Sequence, residues 1–337
     1  MDWFEKLTGF RELAYEETRA QLEVEGGRLR SRINGASYGI GELELVSLQT
    51  LREGAKSAGG LPGRLKASVV TGDVRRMLRS PENAGALFQV ASQFNLLEMV
   101  SPDVTPEHGV TRYQNDATQG PACAIAAGAA TIYRNYFALV GGRPGQTAKR
   151  QLDGLADLGA ALSGSLKLPA GELWRMQNGY AMATQSGLDV IAKYLGTLAT
   201  AEIDDLRGKL RIGLHHDVEV TDGVETDRPL VSQAFCSALP VAYSRVPAAH
   251  WEPFALLVLE AAYEATMWAA VLNAQRGVSN VVLLTLLGGG AFGNRSDWIY
   301  AALRRALEVT AAFDLDVTLV SYGTPSQELV AIAQEFR

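Results

Sequence analysis

The sequence predicts an α/β fold built in three layers. Strand-like and helix-like segments alternate along much of the chain. The run "VSNVVLLTLLG" (278–288) is continuously apolar, as a strand covered on both faces is. A loop with four glycines in six positions, within "GGGAFGN" (288–294), joins that run to an amphipathic helical pattern. At 337 residues, one large elaborated domain or two domains are both allowed, and 47% hydrophobic with 20% charged residues suits a sizeable core.

Taken in order, residues 3–33 read as a helical lead-in, with Leu7, Phe10, Leu13, Leu22, Leu29 and Ile33 spaced roughly for one helix face. Turn signals and a short alternating stretch follow in "NGASYGIGELEL", then a helix from near Ser47, and "GGLPG" (59–63) marks a loop or hinge. "LKASVVTGDV" (65–74) and "ALFQVASQFN" (86–95) are strand candidates, and "GPACAIAAGAATIYRNYF" (120–137) is a small-residue helix suited to tight packing on a sheet. Residues 142–209 read as a helical insertion in which Trp174, Asn178 and Tyr180 are candidates for a lid. "LRIGLHHDVEV" and "RPLVSQAFCSAL" are further strands, and "PFALLVLEAAYEATMWAAVLN" is a long apolar helix with Pro253 in its first turn. The last helix turns Ile299, Leu303, Ala306, Leu307 and Phe313 inward and Arg304 and Arg305 outward, and leads into the strand "LDVTLVSYG". The division that follows is a helical N-terminal extension, 1–65, packed on a domain spanning 66–337.

The net charge of -6 argues against nucleic acid as the main partner. No apolar run reads as long and clean enough for a membrane span, and the acidic, amphipathic start is unlike a signal peptide, so a cytoplasmic setting is the default expectation. Cys123 and Cys236 lack CxxC spacing and read as core thiols, a nucleophilic role for Cys123 needing a base such as His108. The four histidines lack metal-cluster spacing, and His215-His216 reads as an exposed strand end. No metal and no cofactor is expected.

A strand feeding a helix through glycines is a physical anion site. Unpaired backbone N–H groups and the helix dipole favour negative charge, and glycine lets the backbone approach phosphate oxygens closely. The loop has no lysine and only Arg295 is basic, so main chain would do most of the holding. Neither GxxxxGK[ST] nor an intact GxGxxG is present, and a glycine turn without a ligand is the alternative.

The order strand–Thr-Gly-Asp–helix, strand–"ASQFN", Gly-Pro entry to a helix, strand–"GGGAFGN"–helix and a last strand ending at Tyr322 resembles the macrodomain superfamily of ADP-ribose binders and ADP-ribosyl hydrolases, over 66–140 and 228–330. The resemblance implies a three-layer macrodomain-like fold around a central mixed sheet, with ADP-ribose and an ADP-ribosylated protein as partners. It implies that Asp73 takes the adenine amino group, that Tyr322 stacks on adenine and that Phe292 packs on the distal ribose. Two loops would clasp the diphosphate and distal ribose, through Phe94, Asn95 and Gly120 on one side. Gly288, Gly289, Gly290, Ala291, Phe292, Gly293 and Asn294 would do so on the other.

The segments "ASQFNLLEM", "YQNDATQGPACAIA", "QAFCSALPVAY", "LEAAYEAT" and "LLGGGAFGN" are further similar to the arginine-specific, MavL-like branch, related to poly(ADP-ribose) glycohydrolase-type macrodomains. That similarity implies removal of ADP-ribose from modified arginine. The chain has "ASQFN" where the familiar mono-ADP-ribosyl hydrolases carry Asn-Ala-Ala-Asn, and it lacks the GGG…QEE element of the glycohydrolases, so catalytic residues do not transfer from either.

The chemistry itself asks for carboxylates, because breaking an N-glycosidic bond at ribose passes through a cationic state and needs an oriented water. Glu98 and Asp116 are the candidate catalytic acids, Asp116 being equally a helix cap before "TQGPACAIA", and Asp73 equally a cap of the helix from Val74. Asn95, Asn115 and Gln119 are candidates to hold ribose hydroxyls, and Tyr113 to line the entrance. Glu260 and Glu264 share a helix face and read as partners of nearby arginines. A non-catalytic ADP-ribose reader, or a hydrolase of another ADP-ribosyl linkage, are the competing readings.

Overall fold

The computed structural model describes residues 1–223 and 228–337. Its centre is a seven-stranded mixed sheet: β1 (Glu42–Ser47), β2 (Lys66–Thr71), β3 (Leu87–Ala91), β4 (Arg211–Glu219), β5 (Leu230–Cys236), β6 (Val281–Leu284) and β7 (Asp316–Ser321). Their spatial order is β1-β4-β5-β3-β6-β7-β2. The five strands from β5 to β2 run parallel, and β4 is antiparallel to both its neighbours. The helices that matter for the site are α1 (Leu48–Ala58), α2 (Val74–Arg79), α3 (Gln119–Ala126), α4 (Gly128–Tyr136), α5 (Thr200–Gly208), α6 (Ala248–Gln275) and α7 (Ser296–Val309).

Alternation along the parallel strands assigns the layers. Leu87, Ala234, Cys236, Val282, Leu284, Val317 and Leu319 pack with α1, α6 and α7. Phe88, Val90, Phe235 and Leu283 pack with α2, α3 and α4. The three layers follow from that division. Helix α6 has the length and composition to cross a bilayer, contrary to the reading of its sequence, but most of it is buried inside the fold, as a core helix is. It starts at Ala248, so Pro253 stands six residues in rather than in the first turn.

The N-terminal lead-in is helical only in part. Helices Trp3–Thr8 and Tyr15–Ala20 are followed by a three-stranded sheet, Leu22–Glu25, Arg28–Ser31 and Ser37–Gly39. Gly26 and Gly27, at φ 57° and 72°, make the tight turn between its first two strands. Residues 42–58 then supply β1 and α1 to the central sheet and its helical layer, so the extension is built into the core. The insertion is similar in kind: helices surround a hairpin, Trp174–Gln177 with Tyr180–Ala183, turned by Asn178-Gly179 at φ 46° and 81°. The small-residue helix breaks at Ala127 into α3 and α4, and the Thr221 hydroxyl accepts from the freed Gly128 amide at 2.9 Å.

Arg305 does not point outward. With Arg52 it grips Glu264, which is buried on α6, and both reach Asp204 on α5. Arg207 binds Glu260 at 2.6 Å. This network ties the insertion to the core, and it holds Glu264 below the usual carboxylate range against the cost of burial.

One feature of the sheet creates the site. β6 pairs with β3 only at Val282–Leu87 and Leu283–Phe88, after which the two parallel strands separate. Side-chain amides take over the abandoned backbone groups of β3: Gln119 Nε2 donates to Gln89 O and Gln119 Oε1 accepts from Ala91 N, each at 2.8 Å. Gln89 Oε1 accepts from Thr285 N at 3.3 Å, just beyond β6. α3 must start hard against β3 for this, and Gly120 allows it, since a Cβ there would lie 2.0 Å from Ala91 O. Gln119→Leu removes both bonds and is expected to lower stability by about 1–3 kcal/mol in denaturant unfolding; an unchanged midpoint would contradict the bridging role.

Candidate functional site

The five parallel strands all end at one edge of the sheet. Along it lie, in order, the segment after β5 (Ala238, Tyr243), the segment after β3 (residues 92–98), the glycine loop after β6, Tyr322 after β7 and Asp73 after β2. Ligands of open α/β sheets bind outside the carboxyl ends of strands. Where β3 and β6 part, a cavity of about 190 Å³ opens, and both candidate acids, Glu98 and Asp116, line it with Gln119, Gly120, Gly288, Gly290, Ala291 and Phe292.

The loop explains its own glycines. Gly288 sits at φ 76°, where a Cβ would come within 2.4 Å of Ala238 Cβ, and Gly293 sits at φ 70° against Ala242. Gly290 faces open space. The amides of Gly289, Gly293 and Asn294 are closed inside the loop on Leu286 O, Gly290 O and Gly288 O. Among the described residues, the amides of Gly288, Gly290, Ala291 and Phe292 have no protein acceptor, and these four residues line the cavity. They precede α7, whose first residue is Ser296, so the loop itself presents the donors rather than the first turn of the helix. Tyr263 fixes the base of the loop from within the core, its hydroxyl donating to Thr285 O at 2.7 Å and accepting from Leu287 N at 2.8 Å.

Glu98 is 2% exposed. Burial pushes its carboxyl up to about 7, opposed by the Arg134 guanidinium, whose Nη2 donates to Oε1 at 3.2 Å. Glu98 Oε2 has no hydrogen-bond partner among the described residues. Asp116 is half-buried and its Oδ1 accepts from Thr118 N and Oγ1, so it does form the turn before α3 while it lines the cavity. Tyr180, from the insertion hairpin, reaches the cavity and donates to Met99 O at 2.6 Å. It packs with Tyr243 and Phe292, ring centroids 5.2 and 5.3 Å away, giving one wall three aromatic rings. Tyr243 carried no signal of its own in "LPVAYS", and Arg134 lay inside an apolar helix; both were missed.

Other expected residues lie elsewhere. Phe94 is buried in the core. Asn95 spends its amide on Gln151 and its oxygen on Leu97 N, and Asn294 spends its amide on Leu239 O and Gly288 O, so both brace loops outside the cavity. Gly289, Gly293 and exposed Asn115 do not line it, and Gln119 does so with its side chain already committed to β3. Tyr113 is not at the entrance but fully buried beneath Glu98, its hydroxyl accepting from Glu98 N at 3.1 Å. Trp174 packs on Phe254 in the core, and Asn178 donates to Pro102 O, leaving Tyr180 as the one of the three lid candidates that lines the cavity. His215 is not an exposed strand end; it is buried beside Arg134 and held neutral by burial and that cation. Asp73 and Tyr322 stand beyond the cavity. Asp73 Oδ1 caps α2 by accepting from Arg75 N, and Tyr322 is 84% exposed. Cys123 is a buried thiol raised by desolvation, with exposed His108 bonded to Thr105.

No family model and no curated protein matches the chain. Among solved structures it is similar to the poly(ADP-ribose) glycohydrolase of Deinococcus radiodurans in complex with ADP-ribose, at 15% identity and a TM-score of 0.46, over 87% of this chain and 93% of that one. It is similar also to the poly(ADP-ribose) glycohydrolase of Thermomonospora curvata, at 13% identity and a TM-score of 0.43, over 92% and 94%. Likeness of this degree carries no activity across.

Because Glu98 rises from an ordinary 4.5 to about 7 on folding, the folded state holds more protons than the unfolded state between those values, and stability falls as pH rises through them. Glu98→Gln removes that slope. Unfolding free energies from pH 4 to 8 are expected to fall by roughly 3 kcal/mol more in the parent than in the variant; parallel profiles would contradict the buried carboxyl.

Proposed function

We propose that the protein is a hydrolase that removes ADP-ribose from modified proteins, with arginine as the acceptor side chain. One observation carries the reading: a single sheet edge sets out, in line, two carboxylates in a cavity, four unpaired loop amides, and then an exposed tyrosine and aspartate. ADP-ribose presents a reactive ribose, a diphosphate and an adenine in the same sequence. β7 and β2 lie about 5 and 10 Å beyond β6, a span within reach of such a ligand. The amides would take the diphosphate, Phe292 the distal ribose, and Asp73 and Tyr322 the adenine, Asp73 through the oxygen that does not cap α2.

In this reading Asp116 stabilises the positive charge that develops at the anomeric carbon. Glu98, poised near neutrality at the wall of the cavity, takes a proton from the attacking water. The C–N bond breaks with its electron pair passing to the guanidino nitrogen, hydroxide adds to the anomeric carbon, and the proton passes to the departing guanidine. The rings of Tyr180, Tyr243 and Phe292 with two carboxylates favour a cationic group, which supports arginine over acidic or serine acceptors.

Calorimetric titration with ADP-ribose is expected to show binding by the parent and a loss of about tenfold or more in Phe292→Ala. Asp116→Asn and Glu98→Gln are expected to bind within a few-fold but to lose about 10²–10⁴ in turnover of an ADP-ribosylated arginine peptide. Binding without turnover by the parent would make the protein a reader, turnover of another linkage alone would overturn arginine, and no binding would overturn both.

A further inference from the structure

Beneath the cavity lies a fully buried polar cluster that the proposed chemistry does not itself use: Arg134 on α4, His215 on β4 and Thr131. Arg134 holds both ends of the turn that carries Glu98. Its Nε donates to Leu96 O at 3.1 Å and its Nη2 to Glu98 Oε1 at 3.2 Å and to Thr131 Oγ1 at 3.0 Å. Leu96 has a φ of 64°, a conformation unfavourable for a branched side chain, so the turn needs external support. The guanidinium plane lies against Phe235, Cζ 3.9 Å from the ring centroid, which fixes the orientation of its fork of donors.

We infer that Arg134 is the positioning residue of this site, clamping the Leu96–Glu98 turn from below and fixing Glu98 by one oxygen, Oε1, at the wall of the cavity. The inference rests on the hydrolase reading for the reaction that Glu98 serves, but the clamp itself does not. The donor set supports it, since four contacts converge from one guanidinium and Oε2 is the carboxylate oxygen left without a protein partner among the described residues. Charge supports it too. Around Glu98 stand Arg134, the Tyr113 hydroxyl, the Cys123 thiol and, behind Arg134, His215, while Asp116 lines the same cavity. Tyr113 and Cys123 are both pushed up by burial and stay neutral, and His215 is held neutral, so Arg134 supplies the one positive charge in that set.

A positioning role separates from simple stabilisation in the titration of Glu98 itself. Carboxyl-carbon NMR of the apo protein, read with the Glu98→Gln spectrum as assignment, is expected to give a midpoint near 7 in the parent. In Arg134→Gln that midpoint is expected at least one pH unit higher. Arg134→Lys keeps the charge but loses the fork, so its midpoint should stay closer to the parent while kcat falls at least tenfold with KM changed less than threefold. Where the Gln variant does not fold, the Lys variant and the parent carry the test. An unmoved midpoint in Arg134→Gln, or kcat and ADP-ribose affinity falling in equal proportion in Arg134→Lys, would overturn the clamp. If the parent neither binds nor turns over ADP-ribosyl compounds, the hydrolase reading fails, while the titration still decides whether Arg134 governs Glu98.

Discussion

The site depends on one constraint: two parallel strands in the middle of the sheet stop pairing before they end. β3 and β6 share two residue pairs and then diverge, which would leave partly buried backbone donors and acceptors unpaired beside the gap. Gln119 and Gln89 satisfy them, so the gap is a stable part of the fold rather than a defect. Its consequences follow in order. The segment after β3 turns down into the core and carries Glu98 beneath the gap. α3 begins against β3 at Gly120, and the segment after β6 is free to form a glycine loop in which four amides have no acceptor among the described residues.

The two acids that line the gap occupy unlike environments. Asp116 is half exposed and bonded to the turn that it closes, whereas Glu98 is enclosed and raised by burial against the pull of Arg134. Of the two, Glu98 is the one that burial brings to exchange a proton near neutral pH. Opposite them, Tyr180 from the insertion and Tyr243 from the segment after β5 close on Phe292, so the aromatic wall is assembled from three distant parts of the chain. The Arg52–Asp204–Arg305–Glu264 network holds α5 of that insertion against α7, the helix that follows the glycine loop.

Much of the architecture was legible in the sequence because it rests on local patterns. The apolar run before the glycines, the Thr-Gly-Asp turn and the amphipathic helix after the glycine loop each became the expected element in the expected order, while a further helix, Gln327–Glu335, follows the last strand. Apolar spacing over residues 3–33 outweighs the turn dipeptide Gly26-Gly27, and Asn178-Gly179 falls in the stretch 174–180 that reads as a connection between two helices, although the left-handed backbone of both dipeptides specifies a hairpin. The candidate acids could be named from their neighbours along the chain. What no local pattern reveals is where a polar side chain spends its hydrogen bonds. Gln119, Asn95 and Asn294 look like ligand contacts in sequence, yet their amides hold the protein's own backbone and side chains. Arg134 and Tyr243 were invisible for the same reason, since their partners are distant in sequence.

The claim on which the whole account stands is that the unpaired loop amides receive a diphosphate. It is tested most directly by amide proton and nitrogen NMR of the protein titrated with ADP-ribose, followed through the glycine loop. The account predicts saturable downfield shifts at Gly288, Gly290, Ala291 and Phe292, with Gly289, Gly293 and Asn294, already bonded within the loop, moving far less. A titration that leaves those four resonances in place, or that moves the internally bonded three instead, would contradict it.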